Sequence, residues 1–235
     1  MKTRMMKKLL SLVAGVWLAL AAATAQAIPT VLITDGTNTF EIADNSPGDG
    51  NSLAGLMDIS QTFGPWFVGM TIGITKPVLG SAGLPSMFLN SVQFSNSSLA
   101  PDPLLVGFSD TDYTGIFPGF ATSTVGSTTG SVSVFSWYDP GNVLFGTSGL
   151  LAALGPFSGD FSGSSSNAVD PFTPLTGPYS LTLAAFIEHP AGALENTQFS
   201  MELQPVPEPG TALLLGIGIA GLAGAARWRR KQVGC

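Results

Sequence analysis

The chain has 235 residues, 45% of them hydrophobic and only 10% charged, with a formal net charge of −6. That charge is unevenly spread: Lys76 is the only Lys or Arg between Ile28 and Val206, where 14 carboxylates set the balance near −13. A span without basic surface excludes nucleic acid and works against anionic lipid, because neither phosphate would be neutralised. Cys235 is the only cysteine, so the span has no disulfide, thiol nucleophile or thiolate metal site.

In chain order, Lys2, Arg4, Lys7 and Lys8 form a positive segment ahead of an uncharged apolar core, Leu9 to Ala23. Ala25-Gln26-Ala27 is the small-x-small pattern that signal peptidase accepts. Residues 1–27 therefore read as a signal peptide, cut between Ala27 and Ile28. The next segment, 28–204, is one domain in size and has enough chain to bury a core. It is rich in Gly, Pro, Ser, Thr and Asn and poor in helix formers, which favours short strands between turns.

Strands are expected at Thr30–Thr34 and Thr37–Ile42. Ser52–Thr62 reads as a short helix or a covering loop. Trp66–Thr75 is the clearest strand: Trp66, Val68, Met70, Ile72 and Ile74 alternate with Gly69, Thr71, Gly73 and Thr75. Further strands are expected at Phe88–Ser95, Leu104–Phe108, Ser131–Tyr138 and Asn142–Gly146. Leu150–Leu154 suits one helical turn, and Gly155–Gly177, with three consecutive serines, reads as a mobile surface loop. Tyr179–Ile187 and Gln198–Leu203 alternate again and are expected to pair as a hairpin. With about nine strands, the fold class is mainly β, a single antiparallel β-sandwich or jelly roll.

Candidate chemistry is sparse. His189 is the only histidine, sits beside Pro190 and reads as an exposed turn residue; no Gly-x-Ser-x-Gly elbow accompanies it. One histidine and no thiol leave no zinc set. Asp44 and Asp49 lie in an oxygen-rich loop, as do Asp110 and Asp112. Calcium takes six to eight hard oxygens, so these four are its candidate ligands; Asx turns explain the same residues without a cation. No other cofactor is expected. Trp66 reads as core, whereas Trp137 and Tyr138, before Pro140-Gly141, are the candidate sugar contacts. Fourteen acids allow many glycosidase pairs, and spacing selects none.

The C-terminus is the most specific segment. Pro207-Glu208-Pro209 leads into an apolar run through Ala226, then Arg227, Arg229, Arg230 and Lys231. Pro209 to Ala226 is 18 residues, roughly 27 Å as a helix against a hydrocarbon core of about 30 Å. It reads as a membrane helix over about 210–226 with its basic stop, 227–231, in the cytoplasm. Pro205, Pro207 and Pro209 keep the approach extended, in the form a protease binds.

Residues 205–235 resemble the PEP-CTERM protein-sorting domain of Gram-negative bacteria that make exopolysaccharide. The resemblance implies processing near Pro207-Glu208-Pro209 by the membrane protease exosortase. It also implies a transient inner-membrane anchor, then a place in the envelope or extracellular matrix. Three functions are weighed for the domain ahead of it: a non-enzymatic surface or matrix component associated with exopolysaccharide, a carbohydrate-binding module, and a polysaccharide-active enzyme.

Overall fold

The computed structural model describes residues 27–97, 101–169 and 177–206. Most of the signal peptide with Ala25, the motif Pro207-Glu208-Pro209, the expected membrane helix and Arg227 to Lys231 lie outside the described residues. Among those described, no helix is long and apolar enough to cross a membrane.

The described residues form twelve strands: β1 Thr30–Thr34, β2 Thr39–Ala43, β3 Leu56–Phe63, β4 Trp66–Ile74, β5 Gly80–Ser81, β6 Leu84–Pro85, β7 Met87–Ser97, β8 Leu104–Tyr113, β9 Gly119–Asp139, β10 Gly149–Ala168, β11 Tyr179–Glu188 and β12 Gly192–Pro205. The order is β2-β1-β8-β11-β9-β12-β7-β4-β3, with β10 along β9 and β5-β6 a separate hairpin. Every pairing is antiparallel.

The 21-residue β9 organises the molecule. Its first half, Phe120–Thr128, pairs with β12, and its second half, Ser131–Asp139, pairs with β11. The Thr122 and Ser136 hydroxyls, 14 positions apart, are bonded at 2.7 Å. A straight strand would hold them roughly 46 Å apart. Strand β9 therefore bends back across the core, and its two halves belong to facing layers. One layer is β2-β1-β8-β11 with the second half of β9; the other is β3-β4-β7-β12 with the first half. β10 tracks the bend through register shifts at Leu150/Ala152, Leu154/Phe157 and Phe157/Gly159. At the turn, a Cβ on Gly130 would collide with the Glu188 carbonyl, so only glycine fits there. The inward residues of both layers form one core, in which Phe108 of β8 lies against Gly73 of β4.

Several expectations are corrected. Ser52–Thr62 is neither helix nor loop over most of its length but β3, with Met57 and Ile59 inward and Asp58 and Ser60 outward. Leu150–Leu154 is not a helical turn, and Gly155–Ala168 is not a loop; both belong to β10. Asn142–Gly146 is not a strand. It lies in the β9–β10 loop, which folds over the outer side of β8 and β11: the Phe145 N–H donates to Ser109 Oγ, and Ser180 Oγ donates to the Val143 carbonyl. β11 and β12 do not pair as a hairpin; each pairs with a different half of β9.

The alternation in β4 is broken as well. Trp66 and Val68 are buried, but a register shift between Gly69 and Ile72 reverses the phase. Beyond it Thr71, Gly73 and Thr75 point inward, and Ile72 and Ile74 lie half-buried on the outer side.

Candidate functional site

The chain leaves the domain without a linker. β12 remains paired to its last residue, with Pro205 opposite Phe120, and the Val206 N–H donates to the Gly119 carbonyl at 2.9 Å. Gln204-Pro205 is therefore part of the strand. Beside this exit lies a mostly apolar cavity of about 400 Å3, lined by Gly80, Leu84, Pro85, Ser86, Phe117, Gln204 and Pro205. No lining residue carries a charge. The loop after β8 is fixed to the β5–β6 hairpin, since the N–H groups of Thr114 and Gly115 both donate to the Ala82 carbonyl.

Behind the exit, the sole cation of the domain is used internally. Lys76 Nζ donates to Asp110 Oδ2 at 2.6 Å and to the Thr111 carbonyl, and lies 4.1 Å from the centre of the Tyr113 ring. The Thr75 and Tyr113 hydroxyls donate to the same carboxylate oxygen, and the Thr111 N–H to the other. Asp110 is fully buried. Burial, then the Asp110 charge, pushes the Tyr113 phenol well above its ordinary range. The cluster ties the end of β4 to the end of β8, one strand from each layer.

A second polar cluster sits at the other end of β4. His189 is not an exposed turn residue but 3% exposed. Its Nδ1 bonds Ser95 Oγ at 2.7 Å and its Nε2 bonds Thr197 Oγ1 at 2.8 Å, while Thr197 in turn bonds Thr128. The imidazole packs on Trp66, centroids 4.6 Å apart. Burial lowers its pKa to about 4, against a smaller opposing pull from Glu195. Sequence reasoning missed this because the partners are spread over β7, β9 and β12, and Ser95 of β7 lies 94 positions from the ring.

The four candidate calcium ligands do not form one set. Asp49 accepts the N–H groups of Asn45, Asn51 and Asp58, an Asx-type turn. Asp44 accepts the Gly55 N–H with one oxygen, and its other oxygen has no partner. Burial raises its pKa; the Gly55 bond opposes the shift and the Asp49 charge adds to it. Asp110 is engaged by Lys76, and Asp112 accepts from the Asn142 side chain. Among the described residues, no three His, Cys, Asp or Glu side chains gather as a metal site.

The two candidate sugar contacts separate. Tyr138 is 1% exposed and turned into the core, so it offers no ring to a ligand. Trp137 faces the other way, half-buried on the outer side, stacked on Phe135 at 5.4 Å and 15°. Leu150, 54% exposed, sits opposite it on β10.

The family model for the PEP-CTERM protein-sorting motif matches residues 205–231, starting on the last residue of β12. The chain carries a PEP-CTERM sorting signal. The PEP-CTERM motif implies export, exosortase processing and a membrane-anchored C-terminal signal. No curated protein matches the chain in sequence. Among solved structures, the adhesin domain of Epf from Streptococcus pyogenes is similar over 77% of this chain and 60% of its own, at 12% identity and TM-score 0.39. The carbohydrate-binding module TmCBM61, solved with β-1,4-galactotriose, is similar over 61% of this chain and 90% of its own, at 11% identity and TM-score 0.30. A family 29 carbohydrate-binding module is similar over 76% and 91%, at 12% identity and TM-score 0.27. At such TM-scores these likenesses bear on none of the residues described above.

Proposed function

We propose that the chain is a non-enzymatic surface or extracellular-matrix protein of a Gram-negative cell. Its tail holds it in the inner membrane until exosortase frees it to associate with exopolysaccharide. The observation that carries this reading is the direct join of β12 to the PEP-CTERM signal, which makes the whole sandwich the cargo of that signal. The groups most suited to catalysis support the same reading, since they are spent on the fold: His189 on hydroxyls inside the core, Lys76 and Asp110 on each other. An acidic surface without exposed lysine suits solubility and cation bridging within a polyanionic matrix.

The test is intact-mass spectrometry of the chain produced with and without exosortase. With the protease, the released form should begin at Ile28 and lack Arg227 to Cys235. A released product that keeps those residues would overturn the reading.

A second reading, binding of a neutral polysaccharide, is favoured by the Phe135–Trp137 pair on the outer side of β9. Under it, Trp137→Ala weakens pull-down by cell-matrix polysaccharide about tenfold, the loss of roughly 1.4 kcal/mol. Unchanged capture by the variant would remove Trp137 from consideration.

A further inference from the structure

We propose that, while the tail anchors the chain, the exit end of the domain rests on the bilayer, with Ile116 and Leu84 seated at the lipid interface. The proposal rests on reading the apolar run through Ala226 as a membrane span.

Three observations meet at this end. The first is exposure. Ile116, at 77%, is the most exposed large hydrophobic side chain among the described residues, and Leu84 is 58% exposed. The second is position. Leu84 and Phe117 line the same cavity as Gln204 and Pro205. Ile116 lies three residues before Gly119, whose carbonyl holds the Val206 N–H, so it sits within roughly 10 Å of the exit. The loop that carries it is fixed to the β5–β6 hairpin, so Ile116 and Leu84 are presented together. The third is reach. From Val206 to Thr211, where the apolar run is under way, is five residues, at most roughly 17 Å even when fully extended. No linker lets the domain stand off from the membrane.

Charge decides how the surface would bind. The stretches Val78–Ser86 and Thr114–Gly119 contain no Asp, Glu, Lys or Arg. Contact would therefore be apolar and, on neutral headgroups, insensitive to salt, unlike polybasic attachment. Two side chains make a weak site alone. The tether raises the effective concentration to the order of mM, and cutting it removes that gain. The contact would thus orient the exit toward the protease and lapse on release.

The test uses the full chain with Cys235→Ser and a single cysteine, Ile116→Cys or Leu84→Cys, carrying a polarity-sensitive fluorophore. Leu194→Cys is the control: Leu194 is 68% exposed but lies at the far end of β12, roughly 30 Å away. Each is reconstituted in phosphatidylcholine vesicles without protease, some containing lipid spin-labelled near the top of the acyl chain. The expected result is blue-shifted emission at 116 and 84, quenched about twofold or more by the labelled lipid, as for groups held in the headgroup–acyl boundary. The signal should not change with salt and should vanish after cleavage, and the probe at 194 should report water throughout. If alkaline extraction shows an integral tail while 116 and 84 match 194, the lipid contact is refuted and the anchor stands. A tail that extracts refutes both. A blue shift without lipid quenching assigns the surface to a second copy, and shielding only on adding exosortase assigns it to the protease; either outcome overturns the proposal.

Discussion

Replacing Lys76 by Met should lower the stability of the released domain by about 3 kcal/mol, the low end for breaking a buried ion pair, because the lysine is not wholly out of water. Most of the loss comes from what remains. Asp110 is fully buried, and without Lys76 its charge has only the Thr75 and Tyr113 hydroxyls and the Thr111 N–H. For a domain of this size, the change should appear as a fall in Tm of roughly 6 to 12 °C. The double variant Lys76→Met, Asp110→Leu separates the causes. If the unpaired carboxylate is responsible, removing it should recover a large part of the loss, since apolar replacements of buried pairs are often close to neutral. A midpoint for Lys76→Met within a degree of wild type would show that the cluster does not brace the two layers.

Acidification should weaken the domain through His189. Its pKa in the fold is about 4, below the ordinary 6.5, so the native state holds the ring neutral. Above pH 6.5 neither state is protonated, and the full stability is present. Between pH 6.5 and 4 the unfolded chain takes up a proton that the fold refuses, and stability falls by up to about 1.4 kcal/mol per unit. Below pH 4 both states are protonated and the loss levels off, at about 3 kcal/mol at most. Denaturant midpoints between pH 7 and 4, compared with those of His189→Gln, isolate the effect from the carboxylates. The wild type should approach the variant as pH falls. Parallel curves would mean that the imidazole titrates normally and that its bonds to Ser95 and Thr197 do not hold it neutral.

How much of the molecule is legible in its sequence depends on the range over which each feature is encoded. The tail is a linear address, so the PEP-CTERM motif matched over 205–231 is legible without a fold. Strands with apolar alternation are legible too: Tyr179, Leu181, Leu183, Ala185 and Ile187 point inward as expected, as do Phe199, Met201 and Leu203. β1 runs over the expected residues, Thr30–Thr34. The losses come where the interior is polar. After Phe120, the buried residues in the first half of β9 are Thr122, Thr124 and Thr128, which close on Ser136, the Ser200 carbonyl and Thr197. An interior built from hydroxyl pairs has no hydrophobic period, so Gly119–Gly130 and its partner Gly159–Ala168 carry none of the signal that marks a strand. The bulge in β4 is equally silent, because a single displaced residue leaves the composition unchanged. His189 misleads for a related reason: a proline neighbour suggests a turn, but its burial also depends on Ser95 and Trp66, far away in the chain.

The place of β12 has a consequence for how the protein is made. It is not an edge strand but lies between β7 and the first half of β9, so one layer stays split until Thr197 to Pro205 has arrived. Under the proposed reading, with a cleaved leader and a tail held in the membrane, export would run amino end first and these would be the last residues of the domain to cross. The polypeptide would then cross unfinished and complete its topology only once moored. The geometry would set the order of maturation: threading, then closure around the final strand, then severance.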